Sequence, residues 1–189
     1  EVSWVRIASA RATATPSPFF MTPRNAMTAN TPVPHRSAEE QAHLEAILRD
    51  MFEHRICFNE ALGFRVASFE PCGPSLCFDM RPDLIGHYLH GRLHGGVISS
   101  ALDTAGGFAA MVAVCEKFGG EPAIQAAQRF GRVGTIDLRV DYLQQGIGRQ
   151  FTATGRVTRL GGRIASTQMT LENEAGLLIA TGCGSYVIS

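Results

Sequence analysis

Residues 94–118 read HGGVISSALDTAGGFAAMVAVCEKF. After the Gly95-Gly96 pair, about twenty mostly apolar residues with small side chains continue to Lys117, and this pattern predicts one long buried helix. Polar residues interrupt the apolar run well short of the roughly 18–20 residues that a membrane span requires. We therefore interpret the segment as the core helix of a folded domain and expect no membrane partner. The interrupting residues are Ser99, Ser100, Asp103 and Thr104.

A helix and a pair of strands are predicted before the core helix. The segment Ser37-Ala38-Glu39-Glu40 is a capping box, and apolar residues recur after it at helical spacing. This pattern predicts an amphipathic helix from about Ser37 to Phe58. Two runs of alternating residues, Phe64–Glu70 and Ser75–Met80, are separated by a turn rich in Pro and Gly and predict a hairpin.

After the core helix, the pattern becomes that of strands. Gly119–Arg132 is expected to form a short helical excursion, and glycine-containing loops separate the alternating runs that follow it. This element order predicts an α+β fold in which a curved antiparallel sheet wraps one long central helix. Because a sheet face and the strand edges stay open, we also expect a homo-oligomer. The predicted strands are Thr135–Tyr142, Phe151–Arg159, Arg163–Glu172 and Leu177–Val187.

The charges of the chain balance overall but not locally. The 17 Lys and Arg residues match 17 Asp and Glu residues, so no broad electrostatic surface for nucleic acid is expected. Residues 1–36 hold four arginines against one glutamate, a net charge of +3, so residues 37–189 carry −3. The first segment is rich in Pro, Ala, Ser and Thr, which predicts a disordered extension over 1–36 and a folded domain over 37–189. Its composition also suits an organelle transit peptide or an extension upstream of the true start.

The cysteines and the absent motifs narrow the compartment and the chemistry. Five cysteines without a CxxC pair favour free thiols in a reducing compartment, so we expect a cytoplasmic protein. The sequence has no GxSxG, P-loop, complete GxGxxG or HExxH motif. These absences argue against a serine hydrolase of the GxSxG type, a P-loop NTPase and a zincin.

Two glycines at the start of the core helix and one acidic residue within it form a candidate site. Gly95 and Gly96 expose backbone N–H groups at the positive end of the helix dipole, where an oxyanion would be stabilised. Asp103 places a carboxylate in an apolar helix eight residues after Gly95, which is costly unless the group is hydrogen-bonded or functional. Thr135 opens the next strand and is a candidate hydroxyl partner. Taken singly, the glycines also suit a plain turn and Asp103 a satisfied polar group.

Three stretches carry a resemblance to a known family: LHGGVISSALDTAGG at 93–107, GTIDLRVDYLQQG at 134–146 and FTATGRV at 151–157. They resemble hotdog-fold acyl-CoA thioesterases of the phenylacetyl-CoA thioesterase (PaaI-like) group, and most of all a bacterial subgroup that acts on medium- and long-chain acyl-CoA. The similarity covers roughly Glu39–Val187 and includes FNEALGF at 58–64 and the HGG-x6-D spacing. It implies the hotdog fold, a homodimer or a homotetramer built as a dimer of dimers, and active sites at the subunit interface.

The resemblance also implies roles for individual residues, and these roles require no metal or other cofactor. The Gly95 N–H would polarise the thioester carbonyl, and Asp103 would act as general base or nucleophile. Thr135 falls where relatives place a Ser or Thr from the neighbouring subunit to orient the attacking water.

Several histidines lie in the loop expected before the core helix. The spacings of His87, His90 and His94 fit no standard zinc pattern, so no metal is expected. Many relatives have an Asn at the position of Tyr88, and we expect His87, or as second choice His90, to replace its amide. His94 is expected to fix the loop by a hydrogen bond or, with the Gly96 N–H, to contact the substrate.

A CoA thioester also needs contacts for its phosphates and its acyl chain. Arg159, Gly162 and Arg163 combine backbone N–H groups with two guanidinium groups, which predicts a phosphate contact. A plain hairpin turn with solvated arginines would show the same pattern. The acyl pocket is expected to be lined by Val97, Ala101 and parts of Phe58–Leu62.

The resemblance thus implies a cofactor-independent enzyme that hydrolyses medium- to long-chain acyl-CoA to fatty acid and CoA. Two alternatives share the fold. A 3-hydroxyacyl thioester dehydratase would need a His base aimed at the α-carbon, whereas here the candidate histidines precede the helix and Asp103 lies inside it. A non-catalytic acyl-CoA-binding or regulatory module would bind acyl-CoA tightly without turnover.

Overall fold

In the computed structural model, which describes residues 35–189, the long helix α3 (Gly95–Lys117) lies against a six-stranded antiparallel sheet. The predicted α+β architecture, with a long central helix and a curved antiparallel sheet, is confirmed. The other helices are α1 (Ala38–Asp50), α2 (Cys57–Leu62) and α4 (Ala123–Gln128). The strands are β1 (Arg65–Ser68), β2 (Ser75–Asp79), β3 (Ile85–His87), β4 (Arg92–Leu93), β5 (Gly134–Tyr142), β6 (Gln150–Leu160), β7 (Ile164–Asn173) and β8 (Leu178–Val187).

The main sheet has the strand order β1-β2-β6-β7-β8-β5, and every neighbouring pair is antiparallel. The predicted hairpin is formed by β1 and β2, with Val66 opposite Leu76. The four strands predicted after the core helix are β5 to β8, with ends that differ by a few residues at most. At the two edges of the sheet lie β1 and β5, so each of them pairs on one side only.

Small residues allow α3 to approach the middle of the sheet closely. Ala105 and Ala109 on α3 are buried, and Gly155 of β6 lies against the Ala105 carbonyl. A Cβ atom at position 155 would clash with that carbonyl and with the Ala109 side chain. By length and apolar character α3 would suit a membrane span, but 67% of its most apolar window is buried within the domain, as in the core helix of a folded protein.

The N-terminal helical region differs from the single helix predicted over Ser37–Phe58. One π-helical turn over Met51–Arg55 and an extended residue, Ile56, separate α1 from α2. The buried Asn59 side chain donates to the Phe52 carbonyl at 3.1 Å. The Asn59 side chain thus supplies a hydrogen bond to a backbone carbonyl beside the break in the helix. In this region, Phe52 packs edge to face on Phe108 of α3, with ring centroids 4.8 Å apart.

Contacts with α3 and α4 anchor the start of α1. Ser37 accepts the Glu40 N–H at 3.2 Å, which is one half of the predicted capping box. The Glu40 carboxylate does not close the other half and instead accepts the Ala123 N–H of α4 at 2.7 Å. The side chain of Arg36 donates to the carbonyls of Cys115, Phe118 and Glu121.

Arg36 therefore packs on the domain, although the sequence placed the end of the extension after this residue. The prediction of disorder for residues 1–34 lies outside the described residues.

A short hairpin replaces the loop expected before the core helix. In it, β3 pairs with β4, and Tyr88 and Leu89 at its turn are exposed. Strands of three and two residues contain too little alternation to be recognised in a sequence. The hairpin contains His87 and His90 and leads directly into the first turn of α3.

Candidate active site

The carboxylate of Asp103 accepts hydrogen bonds from two hydroxyl groups of the sheet. Thr135 Oγ1 donates to Oδ1 of Asp103 at 2.9 Å, and the Tyr186 hydroxyl donates to the same oxygen at 3.1 Å. The Tyr186 hydroxyl also lies 3.0 Å from the backbone carbonyl oxygen of Asp103. The carboxylate in the apolar helix is thus hydrogen-bonded. The sequence indicated Thr135 as a partner and missed Tyr186.

The sheet register brings the two hydroxyls side by side. Thr135 and Tyr186 are direct partners in the β5–β8 pairing, and the register shifts just after Thr135, which leaves Ile136 as a bulge residue. Bulges re-aim side chains at strand ends, and here Thr135 reaches α3 of its own chain. The resemblance implied that a neighbouring subunit supplies this hydroxyl. In this structure, Thr135 donates instead to Asp103 of its own chain.

Tyr186 occupies a slot made by glycines. Its side chain is 1% exposed, a Cβ atom at Gly106 of α3 would collide with its hydroxyl, and one at Gly184 would crowd its ring. Burial and the neighbouring Asp103 carboxylate raise the pKa of Tyr186 above the usual value of a phenol, so the hydroxyl remains a donor. The Gly106-Gly107 pair in mid-helix signals a close approach at this point, but it does not identify the residue that packs there.

A chamber of about 260 Å³ adjoins Asp103, Thr135 and Tyr186. The kinked region between α1 and α2 supplies part of its apolar wall, and the segment before β5 supplies the rest. From the predicted acyl-pocket segment Phe58–Leu62, the side chains of Phe58 and Asn59 line the chamber. The expectation for Val97 and Ala101 is wrong for this chamber, because both pack into the core on the sheet side of α3. The apolar wall comprises Phe52, Ile56, Phe58, Phe130 and Val133.

The start of α3 provides a second candidate group, the Gly95 N–H. His94 is the N-cap residue, and its Nδ1 accepts the Gly96 N–H at 2.9 Å. The Gly96 N–H is therefore occupied and does not match its predicted substrate contact, while His94 fixes the loop. The Gly95 N–H finds no acceptor within residues 35–189 and is available at the positive end of the helix dipole.

A separate cavity of about 490 Å³ lies beside Gly95. The Tyr142 hydroxyl lines it and donates to the Gly95 carbonyl at 3.1 Å, which anchors the helix start to β5. Asp103 follows Gly95 by eight residues, a separation of about 12 Å along a helix axis. Gly95 and Asp103 of one chain therefore cannot reach the same carbonyl group.

The hairpin histidines line neither cavity. The rings of His87 and His90 stack with centroids 4.7 Å apart, and Nδ1 of His87 is enclosed without a hydrogen-bond partner among residues 35–189. The structure does not bring these rings to Asp103, and their proposed role as replacements for an Asn stays a prediction. In the part of the chain that the structure describes, no group of three or more His, Cys, Asp or Glu side chains is placed to hold a metal ion.

The predicted phosphate-binding turn joins β6 and β7, and the side chains of Arg159 and Arg163 are exposed. Residues that pair with one another across four neighbouring strands form a row, and this row ends at the turn. The turn therefore lies at the same end of the sheet as the two hydroxyls that bind Asp103. Three strand spacings, about 14 Å, separate Leu160 at the turn from Thr135. The row runs through Thr135, Tyr186, Ala165 and Leu160.

Comparison with known proteins relates this chain to a family. Residues 90–180 match the thioesterase superfamily. The chain is 37% identical over 142 residues to the medium/long-chain acyl-CoA thioesterase YigI of Salmonella typhimurium, a match that covers 75% of this chain and 92% of that protein. The protein of the same name from Escherichia coli K12 matches with the same identity and coverage.

A solved structure supports the same relationship. The crystal structure of a Shewanella oneidensis protein related to the thioesterase superfamily matches with a TM-score of 0.74 at 36% identity, over 79% of this chain and 97% of that chain. The hotdog fold implied by the resemblance is confirmed. This chain therefore belongs to the thioesterase superfamily.

Proposed function

We propose that this protein is an acyl-CoA thioesterase that hydrolyses medium- to long-chain acyl-CoA to fatty acid and CoA. The observation that carries the proposal is the Asp103 carboxylate, which two hydroxyls hold at the side of an apolar chamber. A polar group beside an apolar wall suits a reactive carbonyl at the end of an apolar chain. Similarity to YigI, whose name specifies medium and long acyl chains, supports the substrate class.

Asp103 acts in this mechanism as general base. Its carboxylate takes a proton from a water molecule whose oxygen attacks the thioester carbonyl carbon, and a Gly95 N–H stabilises the resulting oxyanion. Collapse of the tetrahedral intermediate breaks the C–S bond, and the departing CoA thiolate takes the proton from Asp103. Direct attack by Asp103 would instead form an acyl anhydride that water then hydrolyses, a route that uses the same residues.

The mechanism requires two chains. Gly95 and Asp103 of one chain are about 12 Å apart along α3, so the N–H that serves Asp103 has to come from a second copy. The edge strand β5 carries exposed Ile136 and Tyr142, at 56% and 54% of their full exposure. We infer that two copies pair through their β5 edges, which also covers these side chains. Two such dimers would form the homotetramer implied by the resemblance.

The CoA phosphates and the compartment of the protein are the remaining points of the proposal. Arg159, Arg163 and the backbone at Gly162 are proposed to meet CoA phosphates, since their turn lies at the Asp103 end of the sheet. His87 and His90 remain candidates for a contact contributed across the subunit interface. All five cysteines are free thiols, which supports a cytoplasmic location, and the proposed chemistry needs no cofactor.

An Asp103→Asn variant tests the proposal. The amide keeps the shape of the side chain but cannot accept a proton, so turnover of medium- and long-chain acyl-CoA should fall by about 100-fold or more. Asp83→Asn is the matched control, because Asp83 is an exposed carboxylate that lies outside β5 and lines neither cavity. Loss of the ultraviolet absorbance of the thioester is the suitable readout, since exposed Cys57, Cys72 and Cys183 would react with thiol reagents.

Three outcomes would contradict the proposal. An Asp103→Asn variant with wild-type turnover would remove Asp103 from the mechanism. Tight binding of acyl-CoA by the wild-type protein without turnover would identify a binding module. Enoyl product formed from a 3-hydroxyacyl-CoA would identify a dehydratase.

A further inference from the structure

We propose that Tyr186 is a positioning residue for the reaction: together with Thr135 it holds Oδ1 of Asp103 and leaves Oδ2 as the oxygen that reacts. This inference rests on the proposed function, because it assigns a division of labour between the two oxygens of the proposed base. It adds to the site a side chain that lies 83 residues from Asp103 in the chain.

The first support is the convergence of two donors on one atom. Thr135 and Tyr186 donate to Oδ1 at 2.9 and 3.1 Å, whereas Oδ2 accepts no hydrogen bond within residues 35–189. A carboxylate oxygen that accepts two hydrogen bonds has little capacity left to take a proton. The asymmetry therefore leaves Oδ2 as the more basic oxygen.

The second support is the rigidity of the donor. The Tyr186 ring fills a slot that exists because positions 106 and 184 are glycines, and its hydroxyl also contacts the Asp103 backbone carbonyl at 3.0 Å. The single hydroxyl proton is thus shared between the backbone carbonyl and the Oδ1 atom of the same residue, as in a bifurcated hydrogen bond. A base fixed in this way loses little entropy when the substrate and water arrive.

The third support is the register. Thr135 and Tyr186 are direct partners on β5 and β8, so the spacing of the two hydroxyls is set by the sheet rather than by flexible loops. Both strands also pack against α3, which holds Asp103. The carboxylate therefore keeps its orientation as long as the helix and the sheet keep theirs.

The experiment compares Tyr186→Phe, Thr135→Val and Thr135→Ser with the wild-type enzyme, using one medium-chain acyl-CoA. Tyr186→Phe and Thr135→Val each remove one donor and should lower kcat about tenfold or more, with KM changed less than about twofold. Thr135→Ser keeps its hydroxyl and should retain most of the activity. Thr158→Val is the control, because it removes a hydroxyl that donates to the Ser166 carbonyl at 3.0 Å elsewhere in the sheet.

The pH profile separates positioning from a general loss of packing. A carboxylate that loses a donor is protonated more readily, so the acid limb of the kcat/KM profile should move to higher pH in Tyr186→Phe. Difluorotyrosine at position 186 keeps the ring and the hydroxyl but is a stronger donor, and it should move the same limb to lower pH. Wild-type kcat and an unmoved acid limb in both proteins would overturn the inference.

A crystal structure of the Tyr186→Phe/Thr135→Val double variant keeps this test distinct from that of the proposed function. If the wild-type protein hydrolysed no acyl-CoA, the proposed function would fail, but the orientation of the carboxylate could still be read. A rotated or disordered Asp103 side chain in the double variant would support the positioning role. An Asp103 carboxylate that is unmoved without both hydroxyls would overturn it.

Discussion

Gly95 and Asp103 lie eight residues apart on α3 and line two different cavities of the chain. The rise of an α-helix separates them by about 12 Å along the axis. An oxyanion donor and a base that act on one carbonyl group both have to lie within hydrogen-bond reach of it. In the proposed mechanism, a complete site therefore combines Gly95 of one chain with Asp103 of another.

Mixed oligomers should recover activity that each parent variant lacks. Gly95→Pro removes the N–H, and proline suits the first position of a helix after the extended residue His94. Coexpressed Gly95→Pro and Asp103→Asn chains should form mixed dimers with one intact site, for about one quarter of wild-type activity under random assembly. Each variant expressed alone should be nearly inactive.

The matched control for this experiment is Gly95→Ala. It keeps the N–H, and its Cβ atom would lie 3.6 Å from the Tyr142 ring, an ordinary contact. Its activity should stay close to that of the wild type. Mixed dimers as inactive as their parents would show that the two residues act within one chain, against the geometry of α3.

Phe130→Ala should change the preferred acyl length. Phe130 is half-buried and lines the chamber beside Asp103, so its truncation makes room for a longer chain. Each further methylene buried contributes about 0.8 kcal/mol, or roughly fourfold in kcat/KM. Steady-state rates over a series of acyl-CoA lengths should therefore shift toward longer substrates.

Phe69→Ala controls for the loss of an aromatic ring outside this chamber. Phe69 is also half-buried and packs edge to face on Phe108 with centroids 5.5 Å apart, but it does not line the chamber. Its acyl preference should match that of the wild type. An equal shift in both variants would place the acyl chain elsewhere.

Gly155→Ala should destabilise the fold at the contact between helix and sheet. The added methyl group meets the Ala105 carbonyl and the Ala109 side chain, both on the core helix, so the helix or the strand has to move. Overpacking of this kind costs about 1–3 kcal/mol. Chemical denaturation should show the loss, whereas Gly131→Ala should stay within about 0.5 kcal/mol, since a Cβ at Gly131 meets nothing within 4 Å.

Cys115 should make the protein less stable at alkaline pH. Burial raises the pKa of the Cys115 thiol from 9.0 to about 12. Above pH 9 the unfolded chain releases this proton while the folded chain retains it, so the free energy of unfolding falls by about 1.4 kcal/mol per pH unit up to pH 12. The contribution is fully present below pH 9 and is lost as the pH rises.

Denaturation curves at several alkaline pH values check this slope. Cys115→Ala should flatten it, whereas Cys183→Ala, which changes an exposed thiol, should leave it as in the wild type. If the free energy of unfolding of Cys115→Ala fell with pH as steeply as that of the wild type, groups other than Cys115 would cause the loss of stability at alkaline pH. Tyr186 is one such group, because burial and Asp103 raise the pKa of its phenol as well.

Local sequence pattern was sufficient to predict the core helix, the strands of the main sheet, and Gly95, Asp103 and Thr135 of the candidate site. About twenty mostly apolar residues with small side chains can be buried over most of a helix surface, so the segment from Gly95 to Lys117 was predicted to be an internal helix. The spacing of Gly95 and Asp103 is also a property of the sequence, because a helix converts eight residues into a known distance. Alternation of apolar and polar residues predicted the four strands after that helix, because this pattern is typical of a strand with one buried face.

Contacts between distant segments could be decided only by the tertiary structure. Periodicity sets which face a residue occupies, but not which residue of another strand lies beside it. The meeting of Thr135 and Tyr186 on Asp103 depends on the β5–β8 register and on the bulge at Ile136. The break near Ile56 and the position of the histidine hairpin depend likewise on packing and on side-chain bonds that replace backbone ones.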